Sequence, residues 1–152
     1  MPVAGEGPSP ARGMIVGEAP TGREEHPFTD LAGRRLRIVL HAVGVKPKDV
    51  YMTYVVKETP RNDEGRVRRP NEQEIAEWLT ILRGEVQHVD ARAILALGTV
   101  AVKALTGIDG DLVPAGSKIG NVYTAWHPGS YLFNIEPWFA QVRPWAEAIG
   151  RG

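Results

Sequence analysis

The chain contains no cysteine in 152 residues. That absence removes disulfides, thiolate zinc sites, cysteine-ligated iron–sulfur clusters and cysteine nucleophiles together. Net charge is absent too: 18 basic side chains balance 18 acidic ones. A polyanion partner must therefore be held by a local patch rather than by the charge of the whole molecule. No apolar run is long enough to span a bilayer, and the N-terminus lacks the basic-then-apolar order of a signal peptide. A cytoplasmic location without membrane contact is the expectation. The glycine spacing of a Rossmann fingerprint and the Gly-Lys-Ser/Thr of a Walker loop are both missing, and no two histidines have metal-ligand spacing. No metal site is expected.

What remains is ordinary globular usage, 43% hydrophobic and 24% charged, enough for one core. Residues 1–12 are rich in Gly and Pro without periodicity and read as a flexible N-terminal arm, leaving 13–152 as a single domain. Met14-Ile15-Val16 is a short buried strand running into the turn-rich Gly17-Glu18-Ala19-Pro20. Leu31, Leu36, Val39, Leu40 and Val43 recur at helical spacing, with Thr29 or Asp30 as N-cap and Gly44 as stop. Val50 to Val56 is a β-branched and aromatic strand. The polar loop from Lys57 to Asn71 carries Arg61, Arg66, Arg68 and Arg69. Ile75, Trp78, Leu79, Leu82 and Val86 share a helical face; Ala91 to Leu97 is a third strand, Thr99 to Leu105 a short helix, and Val122 to Trp126 a fourth strand. Glu136 to Ile149 is a last helical pattern that Pro144 is expected to kink or split.

Strands alternating with helices imply a parallel sheet covered on both faces, with ligands beyond the carboxyl ends of its strands. Those ends carry Gly17-Glu18, Tyr54 to Lys57, Gly98-Thr99 and His127, so the unusual residues converge on one rim. Four features of the chain have two readings each. Gly17-Glu18-Ala19-Pro20 is either a structural turn or a place where backbone amides and a carboxylate approach a ligand. His127, before Pro128-Gly129, is either a satisfied structural residue or a hydrogen-bond donor and proton exchanger. Phe28 is either a packing anchor or a stacking platform for a flat base. The arginine loop is either a solvated surface or a phosphate-binding patch.

In order along the chain, Gly-Glu-Ala-Pro, Pro27-Phe28, Leu31-Ala32-Gly33, Thr53 to Lys57, Ala96-Leu97-Gly98 and Thr124-Ala125-Trp126-His127-Pro128 resemble the uracil-DNA glycosylase superfamily, nearest its family 4 type. The resemblance covers about Met14 to Tyr131. It implies a three-layer α/β/α sandwich on a central four-stranded parallel sheet, and a monomer. It also implies a monofunctional enzyme that flips uracil or a related deaminated base out of DNA and hydrolyses its N-glycosidic bond. Glu18 and His127 would be catalytic, the first beside the attacking water and the second on a uracil oxygen. Gly17, Ala19, Pro20, Phe28 and Tyr54 would line the base site. Arg61, Arg66, Arg68 and Arg69 would meet DNA phosphates, with Ser130, Tyr131 and Leu132 at the loop that enters the duplex. Phe28→Ala and His127→Ala are expected to harm excision more than folding, because both residues should face a cleft.

Three departures qualify the resemblance. Family 4 enzymes usually bind an iron–sulfur cluster through four cysteines; here Glu58 and Trp78 stand at two of those places, and no cofactor is expected. Tyr54 replaces the asparagine of Thr-Asn-Val-Val-Lys, whose amide both donates to and accepts from a pyrimidine edge. The segment from Gly17 to Phe28 is shorter than usual, and His-Pro-Gly-Ser replaces His-Pro-Ser. Tyr54 opens the alternative of a non-catalytic or altered-specificity DNA- or base-binding member.

Overall fold

All five residues of the first strand are buried, as a strand packed on both faces requires. A computed structural model describes residues 2–130 and 134–150. Along the chain run β1 (Gly13–Gly17), α1 (Leu31–Ala42), β2 (Val50–Tyr54), α2 (Glu72–Val89), β3 (Ala93–Leu97), α3 (Thr99–Thr106), β4 (Lys118–Ile119), β5 (Val122–Ala125) and α4 (Ile135–Gly150). The sheet order is β2-β1-β3-β5-β4. The first four strands of that order are parallel, and β4 pairs antiparallel with β5 at the edge. The sequence leads to four parallel strands; the fifth is a two-residue edge strand, too short to show a period.

Alternation along β1 sorts the layers. Ile15 packs with Leu36 and Leu40 of α1 and with Trp138 and Trp145 of α4. Met14 and Val16 pack with Leu82 and Val89 of α2 and with Val102 of α3 on the opposite face. Both buried indoles of α4 keep their N–H groups satisfied, Trp138 on the Trp126 carbonyl and Trp145 on the Ala93 carbonyl, each at 3.0 Å.

Those anchors explain why α4 continues through Pro144 instead of splitting there. Pro144 is on the solvent side, while Trp138 and Val142 before it and Trp145 and Ile149 after it are all buried. One missing N–H donor does not offset that much buried apolar surface.

Helix starts follow local chemistry. The Asp30 side chain accepts from Gly33 N–H at 2.9 Å and caps α1, while Asn71 and Glu74 form a reciprocal capping box on α2. Gly33 is needed for a second reason: a Cβ there would lie 1.8 Å from the Phe28 carbonyl oxygen. Leu31, expected on the apolar face of α1, is 64% exposed, because its place in the first turn leaves it beyond the sheet.

The segment before β1, expected as a flexible arm, lies along the outer edge of β2. Glu6 and Met52 exchange backbone hydrogen bonds at 2.9 and 2.8 Å, Val3 N–H donates to the Lys57 carbonyl at 2.7 Å, and Val3 is buried. The unpaired groups of an edge strand supply the physical reason.

Strand order reverses between β1 and β3: the chain goes from β1 to its neighbour β2, then crosses back to the other side of β1. Such a reversal opens a crevice at the carboxyl ends of the two strands. Gly17-Glu18 and Gly98-Thr99 occupy those ends.

Candidate active site

Beyond the ends of β1, β3 and β5 lies a cleft of about 860 Å³ whose walls include Glu18, Arg69, Thr99, Trp126, His127 and Ser130. Sheet-like hydrogen bonding continues past the strands: Val55 and Val56 N–H donate to the Gly17 and Glu18 carbonyls at 2.9 and 3.0 Å. The Glu18 backbone is thereby fixed while its carboxylate reaches the cleft.

His127 is set by its own turn. The Gly129 N–H donates to His127 Nδ1 at 2.9 Å, and Ser130 N–H donates to the His127 carbonyl at 2.9 Å. An Nδ1 that accepts leaves the proton of a neutral imidazole on Nε2, which is then a donor. Burial lowers the imidazole pKa from its ordinary value, with Glu18 and Asp30 opposing that shift and Arg69 adding to it. His127 is therefore neutral at pH 7. Gly98, at φ +89, lets the histidine lie against β3: a Cβ there would be 3.1 Å from the His127 Cβ.

Arg69 bridges the mouth of the cleft. Its Nε and Nη2 both donate to Glu18 Oε1, at 3.3 and 3.1 Å, and Nη2 also donates to Thr99 Oγ1 at 3.2 Å. The other arginines of the loop differ in use. Arg68 forms a bidentate pair with Glu74 at 2.7 and 3.1 Å, tying the loop to α2. Arg61 donates to the Gly65 carbonyl at 2.8 Å and shapes the loop itself. Arg66 is exposed. The sequence shows four guanidinium groups; the fold commits Arg68 and Arg69 to carboxylates of this same chain.

Phe28 and Tyr54 stand apart from the cleft. Phe28 is 2% exposed and Tyr54 is 3% exposed, and neither lines the cleft. The Phe28 ring lies close to Gly17 and against the Tyr54 ring, with centroids 4.9 Å apart and planes at 41°. Phe28 has φ +57, uncommon for a non-glycine residue. Its N–H donates to the Tyr54 hydroxyl at 3.0 Å and its carbonyl accepts from Arg37. The expectation that Phe28 faces a cleft is corrected: the ring is buried in the core, packed against Tyr54 and Gly17. Burial raises the Tyr54 pKa from its ordinary value, against the lowering effect of the Phe28 N–H.

Of the remaining expected residues, Gly17 and Pro20 are buried and Ala19 is half-buried, all outside the cleft wall. Tyr131 and Leu132 lie outside the described residues. Sequence reasoning puts Gly98-Thr99 on the rim but gives Thr99 no partner. It also misses Gln141, whose Oε1 accepts from Trp126 N–H at 2.9 Å, and Arg35, whose Nη1 donates to the Pro128 carbonyl at 2.8 Å. Both brace the histidine turn from distant helices, and no local motif marks either.

An iron–sulfur cluster does not fit these residues. The chain has no thiolate; Glu58 is exposed, and Trp78 packs half-buried against the α2 and α3 side of the core. Among the described residues no three His, Cys, Asp or Glu side chains cluster as metal ligands, and no helix is long and apolar enough to cross a membrane.

Comparison with known proteins places the chain in a family. Residues 4–145 match the profile of the uracil DNA glycosylase superfamily. A type-4 uracil-DNA glycosylase of Pyrobaculum aerophilum is 37% identical over 123 residues, covering 79% of this chain and 59% of that protein. A type-4 uracil-DNA glycosylase of Thermotoga maritima is 31% identical over 144 residues, covering 87% of this chain and 72% of that protein. A DNA polymerase of Bacillus phage SP01 is 36% identical over 110 residues, covering 69% of this chain and 11% of that much longer protein. The chain thus spans only part of the length of these relatives. With a reversed strand order opening onto a carboxylate and a neutral histidine, and a profile match over nearly its whole length, the chain belongs to the uracil DNA glycosylase superfamily.

Proposed function

We propose that the protein is a monofunctional DNA glycosylase that takes uracil or a related deaminated base out of the helix and hydrolyses its N-glycosidic bond. One observation carries the reading: Glu18 and His127 line the same cleft at the strand ends, a carboxylate and a neutral imidazole whose Nε2–H is free to donate.

Hydrolysis of this bond builds positive charge on the sugar and negative charge on the departing base. The C1′–N bond breaks with its electron pair going to the base, and the His127 Nε2–H hydrogen-bonds the oxygen on which that charge collects. Glu18 stabilises the sugar cation and orients a water. The water oxygen bonds to C1′, and its proton passes through the carboxylate to solvent or to the released base. The products are free base and an abasic site. Phosphates would be met by exposed Arg66 and by Arg69, and Tyr131 and Leu132 would enter the vacated stack. The protein acts as a monomer in the cytoplasm on this reading.

Tyr54 favours a second reading, a member with altered specificity or none. Its buried phenol stands where the resemblance puts a base-reading amide, and it packs against the Phe28 ring. The two readings separate on Glu18→Ala and His127→Ala proteins assayed with a uracil-containing oligonucleotide. Loss of alkali-labile product in both variants supports excision at this cleft, whereas binding to the same DNA without any abasic product in the wild type supports the second.

A further inference from the structure

We propose that Arg69 is a positioning residue for Glu18 that also takes a DNA phosphate, so that one guanidinium links backbone contact to the orientation of the carboxylate. The inference rests on the glycosylase reading of the cleft and deepens it.

Three observations support it. The Nε and Nη2 edge is fully used, on Glu18 Oε1 twice and on Thr99 Oγ1, which fixes the guanidinium plane as well as the carboxylate. Nη1 makes no hydrogen bond to any described residue, and the side chain is 69% exposed against 21% for Glu18. Two donors therefore point outward from a group whose other edge holds the carboxylate, the arrangement that accepts a phosphate oxygen without breaking the pair. Finally, Arg69 and Thr99 stand where the cleft meets a second hollow of about 450 Å³ between α2 and α3, so the pair lies on the edge that a DNA strand must pass.

A stabilising role does not account for the pair, because exposed ion pairs contribute little to folding. Arg68 is the contrast: its carboxylate partner is the capping residue Glu74, so its pairing serves a helix end.

The test compares Arg69→Ala, Arg69→Lys and Thr99→Val with the wild type in single-turnover excision and in equilibrium binding to a uracil-containing single strand, with exposed Arg83→Ala as control. Misplacing a reacting group by about an ångström costs up to about 100-fold in rate. Arg69→Ala should therefore lose about 10- to 100-fold in the chemical step at saturating DNA, with an unchanged melting temperature. Arg69→Lys should recover DNA affinity but not rate, since a rotatable ammonium lacks the planar fork that holds carboxylate and hydroxyl on one edge and leaves the other for phosphate. Thr99→Val should show a smaller loss of rate, and Arg83→Ala none. For Arg69→Ala the slope of log affinity against log salt should fall by about 0.7, one phosphate contact on a single strand. Wild-type rate in Arg69→Ala, or full recovery of rate in Arg69→Lys, overturns the proposal. If the wild type excises no base, the glycosylase reading fails. The phosphate contact is then decided by the salt slope, and the positioning claim by a crystal structure of Arg69→Ala: a Glu18 carboxylate displaced from its wild-type position supports it, and an unmoved one overturns it.

Discussion

The Tyr54 hydroxyl accepts a hydrogen bond from the Phe28 backbone N–H at 3.0 Å while the two rings meet at 4.9 Å. One phenol thus supports a left-handed backbone conformation and packs against the Phe28 ring. An asparagine side chain at this position would be too short to fill the same space.

Tyr54→Phe should leave the buried Phe28 N–H without a partner and cost about 1–3 kcal/mol. Tyr54→Asn should cost about 3–5 kcal/mol through the cavity it leaves, yet raise uracil excision above wild type. Denaturant melts and an abasic-site assay on the same preparations check both. A Tyr54→Asn protein with intact fold and no gain on uracil would remove Tyr54 from the specificity account.

Phe28 and His127 should now part company. Phe28 is a core residue in contact with Tyr54 and Gly17, so Phe28→Ala should lose about 3–5 kcal/mol of stability. His127 is half-buried on the cleft wall, and His127→Ala should change stability by about 1 kcal/mol or less while excision falls by about 100-fold or more, as when a transition-state donor is removed. Paired melting curves and rates decide the matter.

The pH dependence follows from the lowered His127 pKa. In the unfolded chain the imidazole titrates near its ordinary value of about 6.5. Between the folded and unfolded values the unfolded state binds more protons, so stability is present above pH 6.5 and is lost as pH falls through that window. Because the neutral ring is the working donor, the acid limb assigned to His127 should lie below 6.5. A His127→Gln protein should lack that limb, and its persistence there would assign it to another group.

Lys57 follows β2, three residues beyond Tyr54, and is buried, with Nζ 2.7 Å from Glu85 Oε1 and 2.5 Å from the Tyr54 carbonyl. Glu85 also accepts from the Tyr51 hydroxyl at 2.7 Å. Burial lowers the Lys57 pKa, and Glu85 opposes that shift. Lys57→Met should therefore leave a largely buried carboxylate without its counter-charge and cost about 3–5 kcal/mol, while Lys57→Met with Glu85→Leu should recover much of that loss. Equal losses in the single and double variants, measured by denaturant melts, would contradict the pairing.

Much of the fold was legible because its signals are local. Asp30 announces a helix start, Gly44 its stop, and uninterrupted apolar runs a sheet buried on both faces. Glu18 and His127 were legible as residues at strand ends. Long-range pairing was hidden: Arg69 and Glu18 are 51 residues apart, Arg35 and Pro128 are 93 apart, and nothing near either arginine names its partner. Pro144 misled because its cost is set by which side of α4 faces solvent. Phe28 misled because its exposure depends on Tyr54, on another strand.

The most direct measurement incubates the purified protein with labelled single- and double-stranded oligonucleotides carrying uracil, hypoxanthine or xanthine and reveals abasic sites by alkaline cleavage, with Glu18→Ala alongside. The glycosylase reading predicts cleavage at one or more of these bases, lost in the variant. Binding to the DNA with no cleavage of any substrate, or cleavage that Glu18→Ala leaves intact, would contradict it.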